Sequence, residues 1–395
     1  MNADMEILFV SHKYPPATGG MEKQSYELIN GMSRITKVHR VVYDGEEGRF
    51  RFFSQLGKRI RKVIKDNPGI SVIHFNDGLP GALSLLHRGY GNIKRTVTLH
   101  GLDVVFPGFI YQKWIFPKFN DFDLIFAVSN ATAKACRQRG IAAEKIVVVN
   151  NGVDSATGLN AGRAATEVLL SEKYQADVRG KTILVVMGRP VRRKGFSWFV
   201  EKVMPLLHEN FVLLLIGPVQ NSRSATTRLL GCLPAFLRNR IELFLGAASD
   251  EANLRKLCTG KQGAARVVRL GKLPQQEVDG ILSIADAFLM PNIEVDGDME
   301  GFGLVCLEAC VHGANVFAAA SGGITDAIID KRNGTLLPPG HIASWVLTLN
   351  QLIEKPELQL TRQEIIDFTL ARFSWHKMVD EYFLHFSVLT RKNLI

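Results

Sequence analysis

Short apolar runs alternate with longer amphipathic segments along the whole chain. In the first half, the runs at 5–11, 38–43, 71–75, 95–100, 124–129 and 145–149 are strand-length and rich in apolar or β-branched residues, so strands are expected there. The stretches 22–33, 53–66 and 131–139 lie between several of them and carry apolar residues at helical spacing. The second half repeats the rhythm, with strands expected at 182–187, 211–216, 266–270, 287–290 and 316–318. A continuous run such as Phe211-Val-Leu-Leu-Leu-Ile216 suits a parallel sheet covered on both faces. Two such sets predict two doubly wound α/β domains. The turn cluster Asn150-Asn-Gly-Val-Asp154 and the polar, Ala/Gly-rich stretch after it put the boundary there, with domains at 1–153 and 154–373.

Length agrees, because 395 residues exceed what one hydrophobic core usually organises. An apolar content of 46% with 22% charged residues excludes wholesale disorder. The formal charge is +10, which favours an anionic partner, but the excess is too modest and too dispersed to argue for nucleic acid. Cys136, Cys232, Cys258, Cys306 and Cys310 are scattered and form no C-x-x-C pair, so they read as free thiols and not as a disulfide framework or zinc site. The start from Met1 through Asp4 and Glu6 lacks the cationic, long apolar pattern of a signal peptide. The longest apolar stretch, near 211–219, is far short of the ~20 residues a bilayer span needs. A cytosolic protein is expected, with peripheral membrane contact left open.

In open parallel sheets, ligands bind beyond the carboxyl ends of the strands, so the loops there carry the chemistry. After the first strand, Ser11-His-Lys-Tyr-Pro-Pro-Ala-Thr-Gly-Gly-Met-Glu22 leads into a helix, and Gly19 and Gly20 would let backbone N–H groups approach a phosphate. Such a turn is equally a purely structural device. Thr98-Leu-His-Gly-Leu-Asp103 places His100 and Asp103 at a strand end, either toward a substrate or as local caps. Met187-Gly-Arg-Pro-Val-Arg-Arg-Lys-Gly195 offers Arg forks and a Lys point charge, which suit a diphosphate, or else is a solvated basic loop. The most specific segment is Asp298-Met-Glu-Gly-Phe-Gly-Leu-Val-Cys-Leu-Glu-Ala309. A helix starting near Phe302 or Gly303 would present free N–H groups to an anion, with Glu300 before them and Glu308 more than a turn inside. Carboxylates accept hydrogen bonds from vicinal hydroxyls, so this layout fits a ligand with sugar hydroxyls at both ends and phosphates between. Cys306 and Cys310 share a face of that helix and read as small packing residues.

Taken together, these segments resemble the family-4 retaining glycosyltransferases, enzymes of the GT-B arrangement with two Rossmann-like domains facing across a cleft. The landmarks run in the family's order: Gly19-Gly20, His100-Gly-Leu-Asp103, Val128-Ser-Asn130, Asn151-Gly-Val-Asp154, Gly188-Arg189 with Lys194-Gly195, Gly271-Lys-Leu273, Glu300-Gly-Phe-Gly-Leu304 through Glu308, and Ser321-Gly-Gly323. Phe373-Ser-Trp375 is similar to the start of the C-terminal helix, here about 374–395, that returns to the first domain. The resemblance implies that Arg189 and Lys194 neutralise the donor diphosphate, Glu308 holds ribose hydroxyls and Glu300 addresses the transferred sugar. It further implies that backbone amides of Phe302, Gly303 and Leu304 bind sugar or phosphate, and that Leu273 packs near the base. His100 would lie against the sugar, with Gly19 and Gly20 near the phosphates. The chain departs from the family in a long connection between Gly217 and Arg266, in Ala314-Asn315 where relatives often carry Pro, and in Met21 where a basic residue is common.

The function implied is transfer of a hexosyl or N-acetylhexosaminyl group from a nucleotide sugar, a UDP- or GDP-sugar, to a hydroxyl acceptor in cell-envelope polysaccharide synthesis. Arg and Lys supply the charge that a metal supplies elsewhere, so no essential metal or other cofactor is expected, and Asp296 and Asp298 are expected to be loop residues. The alternatives are a nucleotide-sugar epimerase of similar build, a transferase acting on a soluble acceptor, and a non-catalytic sugar-nucleotide or membrane-binding module. Nucleic acid is not an expected partner. The segment from Arg49 to Lys65 holds seven Lys/Arg and no acid, with Phe53, Leu56, Ile60, Val63 and Ile64 at helical spacing. It is either a surface helix with solvated cations or a dock for an anionic bilayer, with Arg49, Phe50, Arg51 and Phe52 ahead of the helix as aromatic anchors. The second reading points to a lipid-linked glycan or glycolipid acceptor.

Overall fold

The structure, a computed structural model, describes residues 5–156, 162–219, 249–259 and 266–391. Cys232 and most of the 217–266 connection lie outside the described residues. The chain divides into two units, 1–152 with 373–395, and 153–372.

In the first unit, strands β1 (Glu6–Ser11), β2 (Lys37–Val42), β3 (Ile70–Phe75), β4 (Lys94–Leu99), β5 (Leu124–Ala127) and β6 (Ile146–Val148) form one sheet in the order β2-β1-β3-β4-β5-β6. Every pairing is parallel. Ile7, Leu8, Phe9 and Val10 are all buried, because helices cover both faces of the sheet. The last helix, α3 (Trp375–Arg391), belongs to this unit. Its Tyr382 stacks on Phe126 at 4.2 Å and shares a 2.8 Å hydroxyl–hydroxyl hydrogen bond with Thr98. His74 lies beside it in the core, with its ring nitrogens 2.8 and 3.0 Å from the hydroxyls of Thr96 and Thr98. Burial pushes this imidazole down to about 3.

Helix α2 (Arg49–Asp66) begins one turn earlier than the apolar spacing suggests, so Arg49, Phe50, Arg51 and Phe52 are helical and do not precede it. Phe52 joins Leu56 and Ile60 in the core and is no surface anchor. Phe53 is only partly buried, and the helix's inner stripe runs through Phe52 instead.

In the second unit, β7 (Thr182–Met187), β8 (Phe211–Ile216), β9 (Val267–Gly271), β10 (Ala287–Met290), β11 (Asn315–Ala319) and β12 (Thr335–Leu337) form a parallel sheet ordered β12-β11-β10-β7-β8-β9. Strand β12 has no counterpart in the sequence expectations. In each sheet the order reverses at one place, between β1 and β3 and between β7 and β10. Diverging loops leave a crevice at such a reversal, and ligands of open α/β sheets bind there.

Candidate active site

The second unit concentrates charge at its reversal. The loop after β7 runs from Gly188 to Gly195, and the loop after β10 from Pro291 to Glu300. Gly195 has φ +65, and a Cβ on it would stand 2.0 Å from the carbonyl oxygen of Pro291, so only glycine lets the two loops touch. The Ile293 N–H donates to the Arg193 carbonyl at 2.9 Å, which joins the loops directly. Buried Asp250 fixes the other flank: it accepts from Ser197 N–H at 2.9 Å and Ser197 Oγ at 2.6 Å, and its own N–H donates to Pro190.

This scaffold lowers two cations onto two carboxylates. Arg193 Nε stands 3.2 Å from Glu300 Oε2, Arg193 Nη1 stands 3.2 Å from Asp298 Oδ2, and Lys194 Nζ stands 3.2 Å from Glu300 Oε2. Burial would raise the Glu300 carboxyl, but Lys194 and Arg193 outweigh it and hold it at about 2. Burial likewise opposes charge on Arg193, whose guanidinium is nevertheless raised above its ordinary value by Glu300 and Asp298. Two cations and two carboxylates balance, so the four side chains sum to zero charge.

Helix α4 (Leu304–Val311) starts beside this cluster; Gly303, at φ +91, turns the chain into it. Phe302 and Leu304 are buried, which leaves their backbone and not their side chains to serve a ligand. The Gly323 N–H donates to the Glu300 carbonyl at 2.8 Å, so the Ser321-Gly-Gly323 turn pins Glu300's backbone. Glu308 lies in the second turn of α4, half-buried. Arg189 projects from the start of the β7 loop with an exposed side chain, and Leu273 is half-buried against the core. Asp296 and Asp298 do lie in a loop, but Asp298 is engaged by Arg193. Cys306 and Cys310 are fully buried, and burial pushes the Cys306 thiol up to about 12.

The first unit gathers polar groups at its own reversal. His12, after β1, pairs through Nδ1 with Asp77, after β3, at 2.8 Å, and Asp77 also accepts from Leu79 N–H at a helix start. His100, after β4, bonds the Asn76 carbonyl through Nε2 at 2.8 Å, so Nε2 carries the proton in the neutral ring. Asp103 does the local capping job: its carboxylate accepts the His100 N–H at 2.9 Å and the Gly78 N–H at 3.3 Å. Burial raises its pKa against the pull of His100. Gly19 caps helix α1 (Gly20–Met32), and the Glu22 carboxylate lies directly over it, with Lys13 at 3.6 Å.

Sequence reasoning did not single out Arg193, His12 or Asp77. Arg193 stands among four cations with nothing local to rank them. His12 and Asp77 become partners only through the adjacency of β1 and β3.

The chain belongs to the family-4 glycosyltransferases: the family described as "Glycosyl transferases group 1" matches residues 171–369, and "Glycosyltransferase Family 4" matches residues 3–157. The D-inositol 3-phosphate glycosyltransferase of Corynebacterium jeikeium is 30% identical over 144 residues, which cover 34% of this chain and 33% of the relative. The chain thus aligns to about a third of the length of that relative. Among solved structures, Anabaena HepE in complex with UDP-glucose aligns with TM-score 0.70 and 19% identity over 97% of this chain and 99% of its own. The sucrose-phosphate synthase of Thermosynechococcus elongatus aligns with TM-score 0.72 and 20% identity over 98% and 100%. These likenesses show the fold: two Rossmann-like α/β units, the GT-B class.

Proposed function

We propose that the chain is a metal-independent retaining glycosyltransferase that moves a hexosyl or N-acetylhexosaminyl group from a UDP- or GDP-sugar to a hydroxyl of a lipid-linked glycan or glycolipid. One observation carries the reading: Arg193, Lys194, Asp298 and Glu300 meet at the reversal of the second sheet, next to the start of α4. In the reaction the bond from the anomeric carbon to the diphosphate breaks and the electron pair stays on the diphosphate. The acceptor oxygen then forms the new glycosidic bond, and its proton ends on the departing diphosphate. Charge develops on the leaving group, where Lys194, Arg189 and the N–H groups of α4 stabilise it in a preorganised site. Glu300 accepts hydrogen bonds from the transferred sugar, and Glu308 from the ribose. His100, Gly19 and Gly20, which follow strands of the first unit, are assigned to the donor by the family resemblance alone.

The expected bilayer contact begins with α2, whose Arg51, Lys58, Arg61, Lys62 and Lys65 are exposed; Glu47 pairs with Arg59 at 2.5 Å and with Arg51 at 3.8 Å. Among the described residues no helix is long and apolar enough to cross a membrane. UDP is the first nucleotide to test, since HepE is seen with UDP-glucose. The inositol-phosphate relative favours a second reading, a small phosphorylated acceptor.

A thermal-shift panel of UDP, GDP and their sugars, with and without EDTA, tests the donor site. Saturation at ~100 times Kd should stabilise by ~2.7 kcal/mol. No stabilisation by any nucleoside diphosphate overturns the reading, and stabilisation that EDTA abolishes overturns metal independence.

A further inference from the structure

We propose that the segment 106–119 of the first unit is an interfacial anchor that seats Phe109, Ile110 and Trp114 in the headgroup region of an anionic lipid bilayer. It lies in a stretch the sequence patterns left unassigned, after β4, and it includes one turn of π-helix at Tyr111–Ile115. Three of the larger exposed apolar side chains of the molecule sit here within six positions: Phe109 is 66% exposed, Ile110 69% and Trp114 62%. Isolated exposed apolar residues are ordinary, whereas a cluster marks an interaction surface.

The segment is held rigidly from below. Tyr111 Oη donates to the Asp103 carbonyl at 2.6 Å, Gln112 Nε2 donates to the Val104 and Phe106 carbonyls at 2.8 Å each, and Phe116 and Phe119 are fully buried, their rings stacked at 5.2 Å. The exposed trio is therefore displayed by a fixed backbone and is not a strand of loose chain.

The charge pattern selects the occupant. Lys113 and Lys118 are exposed, and no Asp or Glu occurs from Val104 to Asn120. The Lys113 ammonium stands 5.4 Å from the Phe109 ring centre and 5.7 Å from that of Trp114. Protein–protein interface cores are depleted in Lys. Aromatic rings with an interspersed Lys are the composition of a bilayer interface, where the rings sit at headgroup level and the ammonium reaches anionic lipid. The anchor stands on observations independent of α2. It rests on the proposed reading only in that the enzyme works at a bilayer.

The molecule carries its own reporter. Of its four tryptophans, Trp345 and Trp375 are buried and Trp198 is partly buried, so Trp114 is the one most able to respond to a surface. The full chain is mixed with vesicles of phosphatidylcholine alone or with phosphatidylglycerol, including acyl-brominated lipid. Expected are a blue shift and bromine quenching on the anionic vesicles, both absent in Trp114→Phe, with part of the binding surviving high salt. Phe109→Ser with Ile110→Ser should lower partitioning at least ~10-fold, given the apolar area withdrawn from contact. Melting temperature and UDP-induced stabilisation of the same samples establish folding and donor binding separately. Vesicle binding without any Trp114 response, or an undiminished affinity in the double variant, overturns the anchor while leaving the donor reading intact. A Trp114 shift that appears without vesicles as protein concentration rises overturns it in favour of self-association.

Discussion

Protonating or removing the Glu300 carboxylate should destabilise the second unit by a definite amount. The carboxylate is buried between Arg193 and Lys194, and its pKa is held at about 2 against its ordinary value of 4.5. A shift of that size corresponds to about 3 kcal/mol at 1.36 kcal/mol per unit. The sign follows from linkage: a carboxylate depressed in the folded state stabilises it fully above the unfolded pKa, and the contribution is lost as pH falls through the folded value. The window therefore runs from about 4.5 down to about 2. Removing the charge outright by Glu300→Gln leaves two cations with one carboxylate, a change of the type that costs about 3–5 kcal/mol. The assay is urea unfolding as a function of pH in a Trp114→Phe, Trp375→Phe background, so that Trp198 and Trp345, packed at 6.2 Å in the second unit, report on that unit alone. Wild type should lose about 3 kcal/mol more than Glu300→Gln across the window. Parallel pH profiles for the two proteins would refute the assignment of the depressed pKa to the Arg193–Lys194 contact.

Arg189→Ala and Lys194→Ala should each cut turnover by about 10²–10³-fold without unfolding the chain, measured as kcat with the donor found in the thermal-shift panel. Glu308→Ala should weaken binding of the bare nucleoside diphosphate in calorimetry, while Glu300→Ala mainly lowers transfer; equal binding losses would contradict that division. Gly195→Ala should lower the melting temperature and disturb the site, since the left-handed backbone alone costs ~1–2 kcal/mol and the new Cβ would strike Pro291. In the first unit, burial holds the folded pKa of His74 at about 3, below its ordinary value of 6.5. Protonation therefore favours the unfolded state, and stability should fall by about 1.4 kcal/mol per pH unit between these values, as read by hydrogen exchange of the β3 amides.

Much of the fold was legible from local pattern. Apolar runs buried on both faces of a parallel sheet announce themselves without reference to neighbours, so β7, β8 and β10 have the bounds the sequence suggests. Ends and edges were less legible. Helix α2 gains a first turn because Phe52 finds a core partner in Tyr43 at 5.4 Å, a contact no spacing rule contains. Strand β12 exists only because β11 lies beside it.

For the candidate site, the loops that gather the charged residues are readable along the chain, because glycines, cations and carboxylates cluster after strand ends. The sequence by itself determined the family, through the order of those loops. The tertiary structure alone decided the partners. Strand order sets the β7 and β10 loops side by side, and the Gly195 contact brings them close enough for Arg193 to reach Asp298 and Glu300 across more than a hundred residues of chain. The same adjacency makes a pair of His12 and Asp77. It turns Asp103 inward onto backbone N–H groups. Ion pairing falls off over a few ångströms and depends on burial, and neither distance nor burial is a property of sequence position.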